Sequence, residues 1–150
     1  MKNLLILAAC LIVGCAGPHE ALVVKQYTLR NQDVAGGDDP LVRHEKLRRL
    51  YGAVSLEERK GRLGQYYTVI WASPNEGGLK REILFQFLQG GSGSRIKNMR
   101  RELPMEQAEG KEEFAVIGDD YFKNGRVLAW KMSLIVGGDP VATKQSYLWE

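Results

Sequence analysis

The chain has 150 residues, of which 44% are hydrophobic and 26% are charged, and this composition is typical of a folded domain rather than of a disordered segment. The formal net charge at pH 7 is only +3, so the chain lacks the strong positive field that attracts nucleic acids, and no nucleic-acid partner is predicted. Gly is over-represented with 17 residues, and its clusters separate apolar runs, as in a chain of strands and turns.

A short apolar run begins the chain. Lys2 precedes the run "LLILAACLIV", and small residues follow it. A basic start, a short apolar stretch and a small-residue exit are typical of a secretory signal peptide. As a helix, roughly ten residues would reach only about 15 Å, half of the ~30 Å hydrocarbon core, so a permanent membrane span is the weaker interpretation.

The end of this run resembles the lipobox of bacterial lipoproteins. Ile12, Val13, Gly14 and Cys15 match its pattern of an aliphatic residue, a free position, Gly or Ala, and Cys. The resemblance implies that the leader is removed before Cys15 and that Cys15 is acylated, with chains such as palmitate. It further implies a location in the cell envelope. Ala16 resembles the version sorted to an outer membrane, facing the periplasm if the source has two membranes.

Two other interpretations concern Cys10. Leu7-Ala8-Ala9-Cys10 fits the same pattern, but it would leave an apolar region of only about six residues, so Cys15 is preferred. A disulfide between Cys10 and Cys15 is disfavoured because cleavage of the leader would remove one partner. The predicted division is a signal peptide over 1–14, a lipidated Cys and tether over 15–21, and one β-rich domain over 22–150.

One short helix is predicted on the N-terminal side of this domain, over about 40–51. Asp39 suits its N-cap and Pro40 its first position. Its residues on roughly one side are Leu41, His44, Leu47, Leu50 and Tyr51. The pair Ser55 and Glu58 has the spacing of a capping box and predicts one further turn.

Alternating polar and apolar residues predict strands through most of the remaining chain. "ALVVKQYTLR" is the first such run, and "QYYTVIWA" and "REILFQFLQ" are two more, which we expect "SPNEGGLK" to join as a hairpin loop. Their residues on one face are Tyr67, Val69 and Trp71 in the second run, and Ile83, Phe85 and Phe87 in the third. The charged run "RIKNMRREL" is predicted to be an exposed edge strand.

The last third of the chain contains the strongest local turn signal, Asn124-Gly125. A type I′ hairpin turn needs φ > 0 at both central residues, and this dipeptide meets that need. After it, one face is predicted to contain Leu128, Trp130, Met132, Leu134 and Val136. "GGDP" is then expected to turn the chain into a last strand, "VATKQSYLWE", that runs to the terminus.

About seven strands with short turns and no alternating helices predict an all-β domain. The predicted fold is mainly an antiparallel β-sandwich, of which an immunoglobulin-like outline is one form. The Cys-Trp-Cys core of antibody domains is absent from the sequence.

The residue types for catalysis are scarce, and no cofactor, metal or catalytic residue is predicted. After the leader only His19, His44 and Cys15 represent the His and Cys types, which disfavours a metal site or a Cys-His nucleophile. A hydrolase that uses His44 or the acidic turn Asp119-Asp120 is an alternative, and a calcium site at that turn lacks EF-hand spacing.

The candidate binding residues form a basic run and a pair of aromatics. The basic run comprises Arg95, Lys97, Arg100 and Arg101, and it could contact anionic headgroups or cell-wall polymers. Tyr66 and Trp149 are expected to be exposed as a binding platform. The predicted function is a non-enzymatic binding or structural role toward another envelope protein or cell-wall polymer, with the membrane held through lipid on Cys15. The alternative is a small-ligand or glycan-binding module on the membrane surface.

Overall fold

The computed structural model describes residues 20–33, 37, 39–73 and 78–149. The predicted signal peptide, Cys10 and the lipobox-like segment that ends at Cys15 lie outside the described residues. Within the described ranges, no helix is both long and apolar enough to cross a bilayer.

Seven described strands form two antiparallel sheets, which confirms the predicted all-β sandwich. The first sheet has the order β1-β2-β5 and contains β1 (Leu22–Leu29), β2 (Gly64–Ala72) and β5 (Glu109–Ile117). The second has the order β4-β3-β6-β7 and contains β3 (Arg81–Gln89), β4 (Lys97–Glu102), β6 (Val127–Val136) and β7 (Asp139–Gln145). The strands are divided between the sheets as in immunoglobulin constant domains, except that the fourth strand lies in the opposite sheet.

The main core lies between the two sheets and consists of alternate residues of their strands. The predicted core faces of β2 and β3 are confirmed, since all six of their residues are buried: Tyr67, Val69, Trp71, Ile83, Phe85 and Phe87. The rings of Tyr67 and Phe85 approach to 4.7 Å between centroids across the two sheets. These aromatics dominate the buried apolar area that stabilises the sandwich.

Both predicted hairpins of the central chain are wrong. β2 and β3 lie in opposite sheets, so the segment between them crosses the sandwich instead of turning back. β5 and β6 are likewise in opposite sheets, and helix α3 (Gly118–Asn124) connects them. Gly125, with φ of 79°, ends that helix, so the Asn-Gly signal terminates a helix rather than forming a turn.

The turn predicted at "GGDP" is confirmed, because Gly137 and Gly138 both have positive φ and join the paired strands β6 and β7. The predicted face of β6 is wrong at its start, where Val127 is buried and Leu128 is exposed. Leu88 of β3 is paired with Ala129 and Gln89 with Val127, so Leu128 is the extra residue of a bulge in β6, and the two faces of β6 exchange there. The last strand ends at Gln145, short of the terminus.

Helix α1 (Pro40–Leu50) is confirmed, with the Asp39 side chain accepting a hydrogen bond from the Leu41 amide at 2.9 Å. Helix α2 (Leu56–Gly61) follows, with the predicted capping box between Ser55 and Glu58. The predicted apolar side of α1 is wrong, because only Arg49 and Leu50 of this helix are buried. Leu50 packs on Leu29 and Tyr66, so the helices cover the outer face of the β1-β2-β5 sheet.

Candidate functional site

The predicted basic run does not form one free cationic patch. Lys97, Arg100 and Arg101 lie on edge strand β4. Lys97 Nζ is 2.6 Å from Asp120 Oδ1, Arg101 Nε is 3.5 Å from a Glu112 oxygen, and Arg100 is paired with Glu82. Arg95 precedes the strand and is exposed. Because three of the four charges have carboxylate partners, the field that this run presents to an anionic surface is weak.

Tyr66 is not exposed, contrary to expectation. Its ring lies under α1, with the Arg49 guanidinium 4.1 Å from the ring centroid, and its hydroxyl donates to the Arg62 carbonyl oxygen at 2.6 Å. Burial raises the pKa of its phenol. Trp149 is half-buried in the turn after β7, where its carbonyl oxygen accepts a hydrogen bond from Gln145 Nε2 at 3.1 Å. The two aromatics therefore do not form a common platform.

The candidate catalytic groups are equally separate. His44 is exposed on α1. Asp119 pairs with Lys123 Nζ at 2.8 Å, and Asp120 accepts hydrogen bonds from Lys97 and from Asn124 Nδ2 at 2.7 Å. In the part of the chain that the structure describes, no group of three His, Cys, Asp or Glu side chains is placed to hold a metal ion.

A polar cavity is present at one end of the sandwich, where the face of β1 that begins with apolar core residues becomes polar. Leu22 and Val24 belong to the main core, but the next residues on the same face are Gln26, Thr28 and Arg30. Strand residues alternate between faces, so Gln26 and Thr28 continue this face of β1 as polar groups, and Arg30 follows directly after the strand. Thr28 is half-buried, and Gln26 and Arg30 are exposed. Thr28 is paired with Gln65 of β2, which is the first inward residue of its own strand.

The opposite wall of this cavity comes from α3 and the start of β6. It contains Tyr121, Arg126, Val127 and Leu128, and Leu148 of the C-terminal segment completes it. The cavity has a volume of about 450 Å³, within the range of about 300–1,000 Å³ that small-molecule sites occupy. We call this the polar cavity.

The side chains that line the cavity offer many hydrogen-bond donors, and few of these donors have a partner among the described residues. Among the described residues, no hydrogen bond or ion pair engages the side chains of Gln26, Thr28, Arg30, Tyr121 or Arg126. No Asp or Glu of the described residues lines the cavity, so within them its two arginines have no acidic partner there. The arrangement can bind an acceptor-rich ligand, and it contains no paired nucleophile and base.

A second feature that the sequence analysis did not identify is an apolar surface at the end of α1 and the start of α2. Tyr51 and Val54 are each 84% exposed and Leu56 is 70% exposed, next to Leu47 on the preceding turn. We call these four residues the helical apolar surface. The signal for the polar cavity was also present in the sequence, as the change from Leu22 and Val24 to polar residues along one face of β1.

Comparisons of this chain with protein-family models, with curated proteins and with solved structures find no significant match.

Proposed function

We propose that this protein is a lipid-anchored component of the bacterial cell envelope with a non-enzymatic binding or structural role. The lipobox-like residues from Ile12 to Cys15 support the anchor. A multiply acylated Cys15 would hold the domain at a membrane, because each buried CH₂ group adds about 0.8 kcal/mol and two or more chains anchor stably.

The helical apolar surface supports contact with another envelope protein. Single exposed apolar residues are ordinary on protein surfaces, whereas a cluster of large ones marks an interaction site. Tyr51, Val54 and Leu56 fall within six positions of one another and are mostly uncovered. A tyrosine on such a surface offers a large contact area and a polar hydroxyl, a combination that is enriched at interfaces.

Site-specific photocrosslinking in cells tests this proposal. A benzoylphenylalanine at Tyr51 should give one dominant protein adduct, while the same probe at Tyr147, which is 98% exposed elsewhere on the domain, should not. Cys15→Ser should remove the protein from the membrane fraction and abolish the adduct. Unchanged fractionation and processing of Cys15→Ser would refute the anchor, and equal adducts from Tyr51 and Tyr147 would refute the helical apolar surface as the contact.

The polar cavity favours a second candidate function, a small-ligand-binding module at the membrane surface. Its volume and its polar lining, with two arginines that have no acidic partner among the described residues, are the features of a ligand site with a few convergent polar groups.

A further inference from the structure

We infer that the polar cavity binds an organic phosphate monoester. This inference rests on the second candidate function and is independent of the helical apolar surface. It depends on three properties of the lining: its charge, the unused donor of a buried amide, and the apolar part of its wall.

The charge of the lining selects an anion. Arg30 and Arg126 both line the cavity, and no acidic side chain in the described part of the chain does. On β4, in contrast, Lys97, Arg100 and Arg101 are each neutralised by a carboxylate. Two arginines at one cavity give it a positive potential, which favours a bound anion. Guanidinium forks match phosphate oxygens in bidentate geometry.

Gln65 adds a donor that the fold itself does not use. This residue is only 4% exposed, and its Oε1 accepts a hydrogen bond from the Val127 amide at 2.5 Å. That bond fixes the orientation of the side-chain amide, and Nε2 has no hydrogen-bond partner among the described residues. Nε2 is not one of the fully buried polar atoms that lack a partner, so it is open to the cavity, where an acceptor of a ligand can replace water.

The balance of donors and the shape of the cavity define the ligand class further. The two guanidiniums, the Gln65 amide and the hydroxyls of Thr28 and Tyr121 all can donate, which suits a group with several acceptor oxygens and about two negative charges. A phosphate monoester carries roughly −1.5 to −2 at pH 7. The cavity is larger than one phosphate group needs, and Leu128 and Leu148 offer apolar contact to an organic remainder.

Titration calorimetry on the full chain in a non-ionic detergent tests the inference. The probes are glycerol 3-phosphate, dihexanoyl phosphatidic acid, and glycerol as the neutral control, all at constant ionic strength. We expect saturable binding of at least one phosphate ester and none of glycerol. Arg30→Gln and Arg126→Gln should each raise the dissociation constant by about tenfold or more, as expected for the loss of a charge-assisted contact.

The matched control is Arg95→Gln, which removes the same charge from an exposed arginine outside the cavity and should leave affinity within about twofold. Gln65→Glu keeps an acceptor for the Val127 amide but replaces the donor by a carboxylate, so it should abolish binding. Because Gln65 is buried and its variant could fail to fold, the two exposed arginines provide the primary test.

Tighter binding of the phosphatidic acid would identify a lipid headgroup as the source of the phosphate, and equal or tighter binding of glycerol 3-phosphate would identify a soluble ester. Absence of binding by every phosphate probe, or equal weakening by Arg95→Gln and the cavity variants, would overturn the inference. Neither failure would alter the Tyr51 crosslink, so the two proposals are tested separately.

Discussion

Arg81 is a charged side chain that the sandwich buries almost completely, with 1% of its surface exposed at the first position of β3. Its guanidinium donates to the carbonyl oxygens of Ser73 at 2.8 Å, Pro104 at 2.7 Å and Gln107 at 2.8 Å, and more weakly to that of Met105 at 3.2 Å. One side chain therefore holds the end of β2 to the segment between β4 and β5.

Arg81→Met should lower the free energy of unfolding by about 3 kcal/mol or more, because it leaves one buried and three partly buried carbonyl groups without their donor. Arg81→Lys should give an intermediate loss, since an ammonium cannot reproduce the planar fork. Urea denaturation measures both. The control is Arg100→Met on β4, an exposed ion pair whose loss should cost no more than about 1 kcal/mol. Equal losses at the two arginines would contradict this account of Arg81.

A group of charges at the end of α1 gives a second test at the residue scale. The hydrogen bond from Arg48, together with that from Arg49 and against the opposing effect of burial, lowers the pKa of Glu45 to about 2. Arg49 also pairs with Glu113 of β5, so the group joins the helix to the sheet.

Glu45 should make folding stability depend on pH in the acid range. Its folded pKa, about 2, lies below its ordinary value of 4.5, so its contribution is complete above about pH 4.5 and disappears as the pH falls toward 2. Glu45→Gln should therefore be less stable than the wild type by about 1–2 kcal/mol at pH 7, and the difference should vanish near pH 2. Denaturation curves across this range, with Glu57→Gln on α2 as the control, measure the effect; a gap that is independent of pH would contradict it.

At the scale of elements, Gly64 at the start of β2 shows how closely two strands approach. Its φ is 144°, and a Cβ atom there would overlap the carbonyl oxygen of Val116 on β5. Gly64→Ala should thus destabilise the domain by about 2 kcal/mol or more, measured by urea denaturation. Gly61→Ala, at the end of α2, meets no atom within 4 Å and should be neutral or slightly stabilising. Similar losses of stability for the two variants would show that the close approach of β5 does not restrict the residue at position 64.

The strands were predictable from the sequence, and their partners were not. Alternation of buried and exposed residues requires only that one face of a strand be covered, and β2 and β3 satisfy this in opposite sheets as well as they would in a hairpin. Gly137-Gly138 and Asn124-Gly125 look equally suitable for a tight turn, yet only the first pair joins neighbouring strands. The second ends α3, whose acidic first turn at Asp119 and Asp120 suits a helix N-terminus.

The candidate site was less predictable for the same reason. Gln26, Thr28 and Arg30 belong to a polar face of β1 in the sequence, and only the packing of the second sheet turns that face inward. Gln65 is near them through strand pairing, whereas Arg126 and Leu148 arrive from distant parts of the chain. Tyr66 illustrates the converse, since an apparently free aromatic is covered by helices that precede its strand.

At the scale of the whole molecule, the core between the two sheets contains many more buried hydrophobic side chains than the contact between the helices and the outer face of the first sheet. Among the described residues, thirteen buried hydrophobic side chains form the core between the sheets, while three form the cluster under the helices. Local stability follows buried apolar contact, so the amides of α1 should exchange with solvent at a lower free energy than those of β2 and β6. Native-state hydrogen exchange measures this difference directly.

Two leucines of β1 test this hierarchy because they lie on opposite faces of one strand. Leu22 belongs to the main core, and Leu29 contacts the helical layer; both are fully buried. Either substitution by Ala should lower the free energy of unfolding of the part of the domain that packs on that leucine by about 2–5 kcal/mol. Leu22→Ala should reduce protection throughout both sheets, whereas Leu29→Ala should reduce it chiefly in α1. If α1 is as well protected as β2 in the wild type, or if both variants lower protection uniformly, then the ion pairs of Arg49 bind the helix as firmly as the core binds the sheets, and the domain unfolds as one unit.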